Sequence, residues 1–398
     1  MTKNNNILPE GWKTKPINQV FDFIGTSSYS RNDINYEIDE ESIYYIHYGD
    51  IHATYKNAIL DFETETRIPV LKKEIKSTTN YLEEGDLIIA DASEDYEGVG
   101  EALEVFNIKD KKAIAGLHTF ALRDKNNDTA HGYRAYLFKN PEVKKRLKTI
   151  ATGSKVYGIS KGNLEKFNIT LPPLPEQQRI AKILATWDKA SALQQKLIVE
   201  KKQYKKAIMK KLLTGEVRFK GFTEKWKETK FGSISIKKSS NLSANSIENI
   251  SGKYPVYGAN GLLQSVDFYN EEEPYLSIVK DGAGVGRTLM CKPKSSVLGT
   301  LDIIKPKGEN DLYFIYLLTK KINFSKYVIG STIPHIYFKD YSLEKIRIPS
   351  YQEQKKIASF LFSLDKEIYA LENELISFQK QKQGLMQQLL TGKIRVKN

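Results

Sequence analysis

The chain has 398 residues, 40% hydrophobic and 27% charged, and a mean hydropathy of −0.46. At roughly 100–200 residues per domain this length predicts two to four units, and the composition excludes a disordered, collagen-like or disulfide-stapled protein. The balance of 61 Lys and Arg against 48 Asp and Glu leaves a net charge of +13, a surplus that suits nucleic acid or another acidic surface and is equally compatible with an inert basic protein.

Cys291 stands alone, so a reducing, cytoplasmic setting is expected. The start, Met1 to Asn6, is polar and shows no signal peptide, and no apolar run approaches the ~18 residues that span a bilayer.

Residues 1–171 read as a first globular unit. Trp12-Lys13 opens it, and a polar stretch with Tyr29, Arg31 and Asn32 follows. Next come YIHYGDI at 45–51, with Tyr48, and the strand-like run into DASEDYEGVG at 91–100, with Ser93, Glu94, Asp95 and Tyr96. A second strand pattern (AGLHTFAL, 115–122) precedes an apolar stretch at 133–150 read as a short helix. The unit closes on Gly153-Ser154, with Lys155, Tyr157 and Lys161 beside it, and on Leu-Glu-Lys at 164–166.

Residues 172–220 form a basic helical segment with 12 positive and 4 negative side chains. A helix over Glu176–Leu213 is predicted, with Ile180, Leu184, Trp187, Ile198, Ile208 and Leu212 apolar. Ser191, Gln194, Lys201 and Lys205 interrupt that face. Lys201, Lys202, Lys205 and Lys206 suit either a solvated face or contact with DNA phosphate or an acidic partner.

Residues 221–348 repeat the first unit more weakly. Trp226-Lys227 opens it, then Lys238, YPVYGANG (254–261, with Tyr257 and Asn260), and YLSIVKDGAGVG (275–286) with Lys280 and Arg287. LGTLDIIK (298–305), a helical stretch at 311–329, Gly-Ser-Thr-Ile-Pro-His (330–335, with Ser331, Thr332 and His335), Lys339 and Leu-Glu-Lys (343–345) complete it. In each unit an apolar strand runs into an aspartate, Asp91 or Asp281, aligned here as counterparts, and then into Gly-Val-Gly.

Residues 349–398 form the second helical segment. Ile357, Leu364, Leu371, Phe378 and Leu385 occupy one heptad position; Leu361, Ile368, Leu375, Lys382 and Leu389 occupy the other. Only Lys382 breaks this coiled-coil seam. Ser350 and Glu353 suggest a capping box, and the helix is expected over Glu353–Leu390.

The two helical segments are copies at one offset. LPPLPEQQRIAKIL at 171–184 matches IPSYQEQKKIASFL at 348–361, and LLTGEVRF at 212–219 matches LLTGKIRV at 389–396, each 177 positions on. Helices of 38 residues span ~57 Å and need partners, and each is the other's obvious one. Antiparallel pairing follows if the intervening domain returns the chain. The predicted architecture is α+β: two similar recognition domains, mostly antiparallel in their sheets, separated by two long antiparallel coiled-coil helices in a pseudo-twofold arrangement.

Catalytic constellations are not visible. Asp281–Arg287 resembles a phosphate loop but lacks the Gly-Lys-Ser/Thr ending, and a tight turn between strands is the better reading. The five histidines are scattered without metal-ligand spacing, so no metal site is expected. No Pro-Asp precedes an acidic–x–Lys pair such as Glu74–Lys76, and no Asn-Pro-Pro-aromatic segment exists for base methylation. The polar loops instead carry the Arg, Asn, Asp, Glu and Ser side chains that read base edges, with Lys and Arg to set register on phosphate.

Taken together, the two Leu-Leu-Thr-Gly ends, the 171–177 and 330–335 runs, YPVYGANG and IVKDGAGVG resemble the specificity (S) subunit of type I restriction–modification systems over essentially the whole chain. The resemblance implies a DNA-recognition chain without catalysis. Each variable domain would read one half of a bipartite site, and the paired helices would hold the two apart and bind two methyltransferase subunits. Two restriction subunits would join the full complex, with no membrane association. S-adenosylmethionine, ATP and Mg²⁺ would belong to the partners, and no cofactor to this chain.

Gly-Ser-Lys-Val-Tyr at 153–157 departs from Gly-Ser-Thr-Ile-Pro at 330–334, and the units differ in length and charge, so an asymmetric target is expected. Half-sites read from one face of DNA lie about one turn, ~34 Å, apart, which makes the helices a ruler. Two other readings stay open. A self-contained methyltransferase or nuclease would act alone on DNA, and a coiled-coil adaptor would lack salt-dependent DNA binding.

Overall fold

In the computed structural model, residues 8–39, 41–55, 57–72 and 80–396 are described. The polar start and the Glu74–Lys76 pair lie outside them. The chain divides into two compact units: residues 1–195 with 374–398, and residues 196–373. Each unit combines one lobe with half of each long helix.

In the first unit the main sheet runs Phe21–Ile24, Thr119–Asp124, Leu87–Ala90, Ala102–Phe106 and Ile59–Asp61 in spatial order. In the second it runs Ser235–Ser239, Leu301–Pro306, Tyr275–Val279 and Thr288–Cys291. The order and the antiparallel pairing of the first four strands are the same in both. Each lobe also carries a smaller sheet with one parallel pair: Ile43–Ile46 with Lys112–Ala115, and Tyr254–Gly258 with Ser296–Val297. The strands Lys13–Pro16 and Asn168–Leu171 pair antiparallel, as do Lys227–Lys230 and Lys345–Ile348. Antiparallel pairing therefore predominates, and Ile59–Asp61 adds a further parallel edge against Ala102–Phe106.

The buried Val/Ile/Leu content of Leu87–Ala90 and Tyr275–Val279 explains their central place, since both faces are covered. The expected helical stretches resolve into Arg134–Lys139 and Pro141–Ile150 in one lobe, and Leu312–Thr319 with a short 3₁₀ turn at Phe324–Tyr327 in the other.

The long helices span Leu174–Thr214 and Tyr351–Leu389, 41 and 39 residues. Each begins two residues earlier than expected, because Glu176 and Glu353 lie inside the first turn. The capping-box expectation for Glu353 is corrected: its buried carboxylate receives the Arg218 guanidinium at 2.9 and 2.6 Å, not the start of its own helix.

Within the first unit, the early part of the first helix packs against the late part of the second. Ile180, Leu184, Leu389 and Leu390 share one buried cluster, with Leu385 against it, and Trp187 meets Phe378 edge to face at 5.9 Å. Within the second unit the ends are exchanged: Leu212 and Leu213 bury against Ile357, Leu361 and Leu364, with Ile208 alongside. In each unit the two segments are therefore antiparallel neighbours. Ile198 and Ile368 are buried, while Leu371 and Leu375 are half-buried.

Of the residues that interrupt the seam, Gln194, Lys201, Lys205 and Lys382 carry polar pairing, while the buried Ser191 hydroxyl has no hydrogen-bond partner among the described residues. Tyr136 donates to Asp188 at 2.5 Å, and Lys382 bonds the same carboxylate. Shifted by 177, Tyr313 and Lys205 both bond Asp365. Lys201 pairs with Glu367 at 2.7 Å and Lys202 with Glu372 at 2.6 Å. These three lysines are thus tied to acidic side chains of the partner helix, and Lys202 and Lys206 stay exposed. Each helix ends at a left-handed glycine, Gly215 (φ 75°) or Gly392 (φ 70°).

Candidate nucleic-acid interface

The loops singled out in the sequence converge at one site in each lobe. In the second, Asp281–Gly286 links the paired strands Tyr275–Val279 and Thr288–Cys291 as a hairpin turn. The Gly282 amide donates to the Pro334 carbonyl at 2.8 Å, and the Ile336 amide to the Lys280 carbonyl at 2.9 Å. The Arg287 guanidinium reaches the Ala259 carbonyl (2.8 Å) and the Asn260 side-chain oxygen (2.6 Å). Gly284 sits against Ala259, where an added Cβ would lie 3.4 Å from the alanine methyl. YGANG, KDGAGVGR and GSTIPH are therefore one surface.

On that surface Asn260, Arg287, Ser331, Thr332 and Lys339 are exposed. His335 packs on Tyr337 at 5.1 Å, and the Lys339 ammonium lies 5.4 Å from the same ring. Tyr257 is half-buried, its hydroxyl accepting from the Lys292 amide at 3.4 Å. Two candidates are held by structural acids. Lys238 bonds buried Glu271 at 2.5 Å beside Lys305, and Lys280 lies 3.7 Å from buried Asp302. Burial raises the Asp302 pKa, with Lys237 and Lys280 opposing it.

The first lobe builds the corresponding surface from different side chains. Tyr157 pairs in register with Ser93, and its ring meets Tyr96 at 5.1 Å. Ser93 is buried, accepting from the Asp95 amide at 3.3 Å, while Asp95 caps Gly98 at 2.6 Å. The Tyr96 hydroxyl donates to the Lys148 carbonyl at 2.9 Å. Glu94, Asn32 and Lys155 are exposed, and the Lys161 ammonium lies 5.2 Å from the Phe23 ring.

Nearby, Arg31 reaches Asp50 at 3.2 Å, and Tyr29 packs edge to face on buried Tyr45 at 5.7 Å. The Tyr45 hydroxyl gathers the loop by accepting from the Tyr29 and Leu117 amides.

Sequence reasoning missed the histidines here. They are scattered in sequence, but His47, His52 and His118 gather around Tyr48, with ring distances of 4.6, 6.2 and 5.3 Å. His52 bonds the Ala92 carbonyl at 3.0 Å and His118 bonds Asp91 at 3.2 Å, joining the Arg31 and Asp91 regions. Burial lowers the His47 pKa, and the neighbouring Arg31 charge lowers it further. Among the described residues, no group of three or more His, Cys, Asp or Glu is placed to hold a metal ion.

The alignment of Asp91 with Asp281 is corrected by the backbone. The Ile159 amide donates to the Asp91 carbonyl, whereas the equivalent Ile336 amide donates to Lys280. Asp91 therefore corresponds to Lys280, and the two lobes place opposite charges at the same position. Two turns do match at the 177 offset. Thr152 and Gly158 exchange both backbone hydrogen bonds, and so do Ile329 and His335.

Comparison with known proteins agrees with this duplicated architecture. The model of the type I restriction modification DNA specificity domain matches residues 9–202 and 223–377. The specificity subunit named for the MjaX type I restriction enzyme of Methanocaldococcus jannaschii is 27% identical, over 98% of this chain and 95% of its own. The MjaVIII specificity subunit of the same organism is 30% identical, over 66% of this chain and 71% of its own. The crystal structure of the S subunit of a type I restriction-modification system from M. genitalium superposes with a TM-score of 0.62 at 18% identity, covering 98% of each chain, and shares the fold. With two matching domains accounting for most of its length, this chain belongs to the type I restriction–modification DNA specificity family, whose part is recognition and not bond-making.

Proposed function

We propose that the two lobes, placed at residues 1–171 and 221–348, each read one half of an asymmetric, bipartite double-stranded DNA site. The helical segments 172–220 and 349–398 set the unread spacer and dock methyltransferase subunits, two per chain, with two restriction subunits completing the complex. S-adenosylmethionine, ATP and Mg²⁺ belong to those partners. The complex works in the cytoplasm; among the described residues no helix is long and apolar enough to cross a membrane.

The carrying observation is a duplicated surface with changed side chains. The same turn and hairpin recur in both lobes, yet Asp91 stands where the other has Lys280, and the hairpin loop of the first lobe carries exposed Glu94 and Asp95 while the surface of the second presents exposed Asn260 and Arg287. Acidic side chains accept from base amino groups, while arginine donates to guanine, so matched scaffolds with opposed chemistry fit two unlike half-sites. Exposed apolar residues on the long helices, Leu193 in one unit and Tyr369 in the other, fit partner docking.

The test is to express the chain with its methyltransferase partner and map methylated adenines. Two short unlike sequences separated by a fixed gap are expected. A single contiguous motif, or methylation without sequence preference, overturns the reading.

A further inference from the structure

Both matched turns end in a bare apolar side chain. Val156 is 53% exposed and Ile333 is 63% exposed, 177 positions apart. Single exposed apolar residues are common, but here the position, residue class and backbone recur together in lobes whose neighbouring side chains have diverged. Around them Lys155 has become Thr332 and Tyr157 has become Pro334, while Gly153, Ser154 and the β-branched residue remain.

The turns are built rigidly. Reciprocal backbone bonds close each at its base, 2.9 and 2.8 Å between Thr152 and Gly158, and 2.9 Å both ways between Ile329 and His335. Gly153 (φ 132°) and Gly330 (φ 86°) lie so close to the Val156 and Ile333 carbonyls that an added Cβ would sit 1.9 and 2.6 Å from those oxygens. A β-branched side chain is itself stiff about χ1, so little entropy is lost when it inserts. Each turn is also bonded directly to a base-reading loop, through Tyr157 to Ser93 and through Pro334 to Gly282.

Resting on the half-site reading above, we propose that Val156 and Ile333 are apolar wedges that each press between bases of the half-site their own lobe reads. The flanking Ser154, Lys155, Ser331 and Thr332 supply hydrogen bonds and charge for the adjoining phosphates. Apolar side chains inserted in this way partly unstack a base step without reading it by hydrogen bonds. The wedge therefore adds affinity in both halves whatever their sequences, which accounts for its recurrence where the reading side chains differ.

The test uses the complex assembled with its methyltransferase partner and a duplex carrying its mapped site, with 2-aminopurine placed at successive positions of each half. Fluorescence is expected to rise at a step in each half on wild-type binding. Val156→Ser should abolish the rise in one half only and Ile333→Ser in the other, each weakening binding about tenfold, with Val156→Ile and Ile333→Val restoring both readouts. Wild-type affinity in both serine variants, or no fluorescence rise in a wild-type complex that still prefers its mapped site, overturns the wedges alone. A wild-type complex that binds the mapped site no better than a scrambled duplex overturns the half-site reading and the wedges with it.

Discussion

Arg395 closes a bidentate ion pair on Glu176, at 2.7 and 2.8 Å, across 219 positions of chain. Glu176 belongs to the first helical repeat and Arg395 to the second. In the other unit the exchange is reversed, with Arg218 of the first repeat on Glu353 of the second. Each repeat thus completes the start of the other. Burial pushes the Glu176 carboxyl up, but hydrogen bonds from Arg395 and Trp12 outweigh it and hold the pKa below the usual carboxylate range.

Removing either arginine leaves a buried carboxylate without its partner. Arg395→Ala and Arg218→Ala are each expected to destabilise the fold, because each leaves a buried carboxylate without its counter-charge, although the solvent-reaching guanidinium groups soften the loss. Double-mutant cycles by denaturant unfolding should give similar coupling energies for the two pairs. Unfolding midpoints unchanged in both variants would show that the pairs are ornamental.

Lys382 looks like a flaw in the heptad, but its ammonium holds Asp188, which also accepts from Tyr136. Lys382→Leu should therefore destabilise by about 1–2 kcal/mol despite restoring the apolar repeat, because Asp188 would lose its counter-charge. A gain in thermal stability would contradict this.

Glu104 is a pH-sensitive point in the first lobe. Burial pushes its pKa up to about 7, against hydrogen bonds from the Gly132 and Arg134 amides and the nearby Arg134 charge. The folded state thus holds this proton more tightly than the unfolded chain. Its contribution favours folding at low pH and is lost as pH rises from about 4.5 through about 7. A carboxyl NMR titration of Glu104 should show a midpoint near 7; a midpoint near 4.5 would contradict the burial argument.

Much of the helical scaffold was legible because one offset, 177, relates residues that really are equivalent: Glu176 and Glu353, Asp188 and Asp365, Gly215 and Gly392. The lobes were harder. Their insertions differ before residue 152, so matching aspartate to aspartate slipped the alignment by one and hid the opposition of Asp91 and Lys280. The Tyr48–histidine cluster was invisible because His47, His52 and His118 come together only when two sheets and the connecting loops are assembled. The lysines of the first helix were ambiguous because their partners, Asp365, Glu367 and Glu372, lie on another helix. Sequence spacing predicts contacts along one helix, not between two.

The ruler role of the helices has its own test. Inserting about one helical turn in both helices, between the two lobes, should lengthen the unread gap and leave both half-sites intact. Unchanged spacing in methylation maps would assign the spacing to another part of the complex.

The central claim, two autonomous readers on one scaffold, is tested most directly by transplantation. Residues 13–165 would be replaced by the corresponding lobe of a relative, and adenine methylation mapped in cells that also express the methyltransferase partner. The account predicts that one half-site changes while the other half-site and the gap stay as they were. Simultaneous change of both half-sites would contradict it.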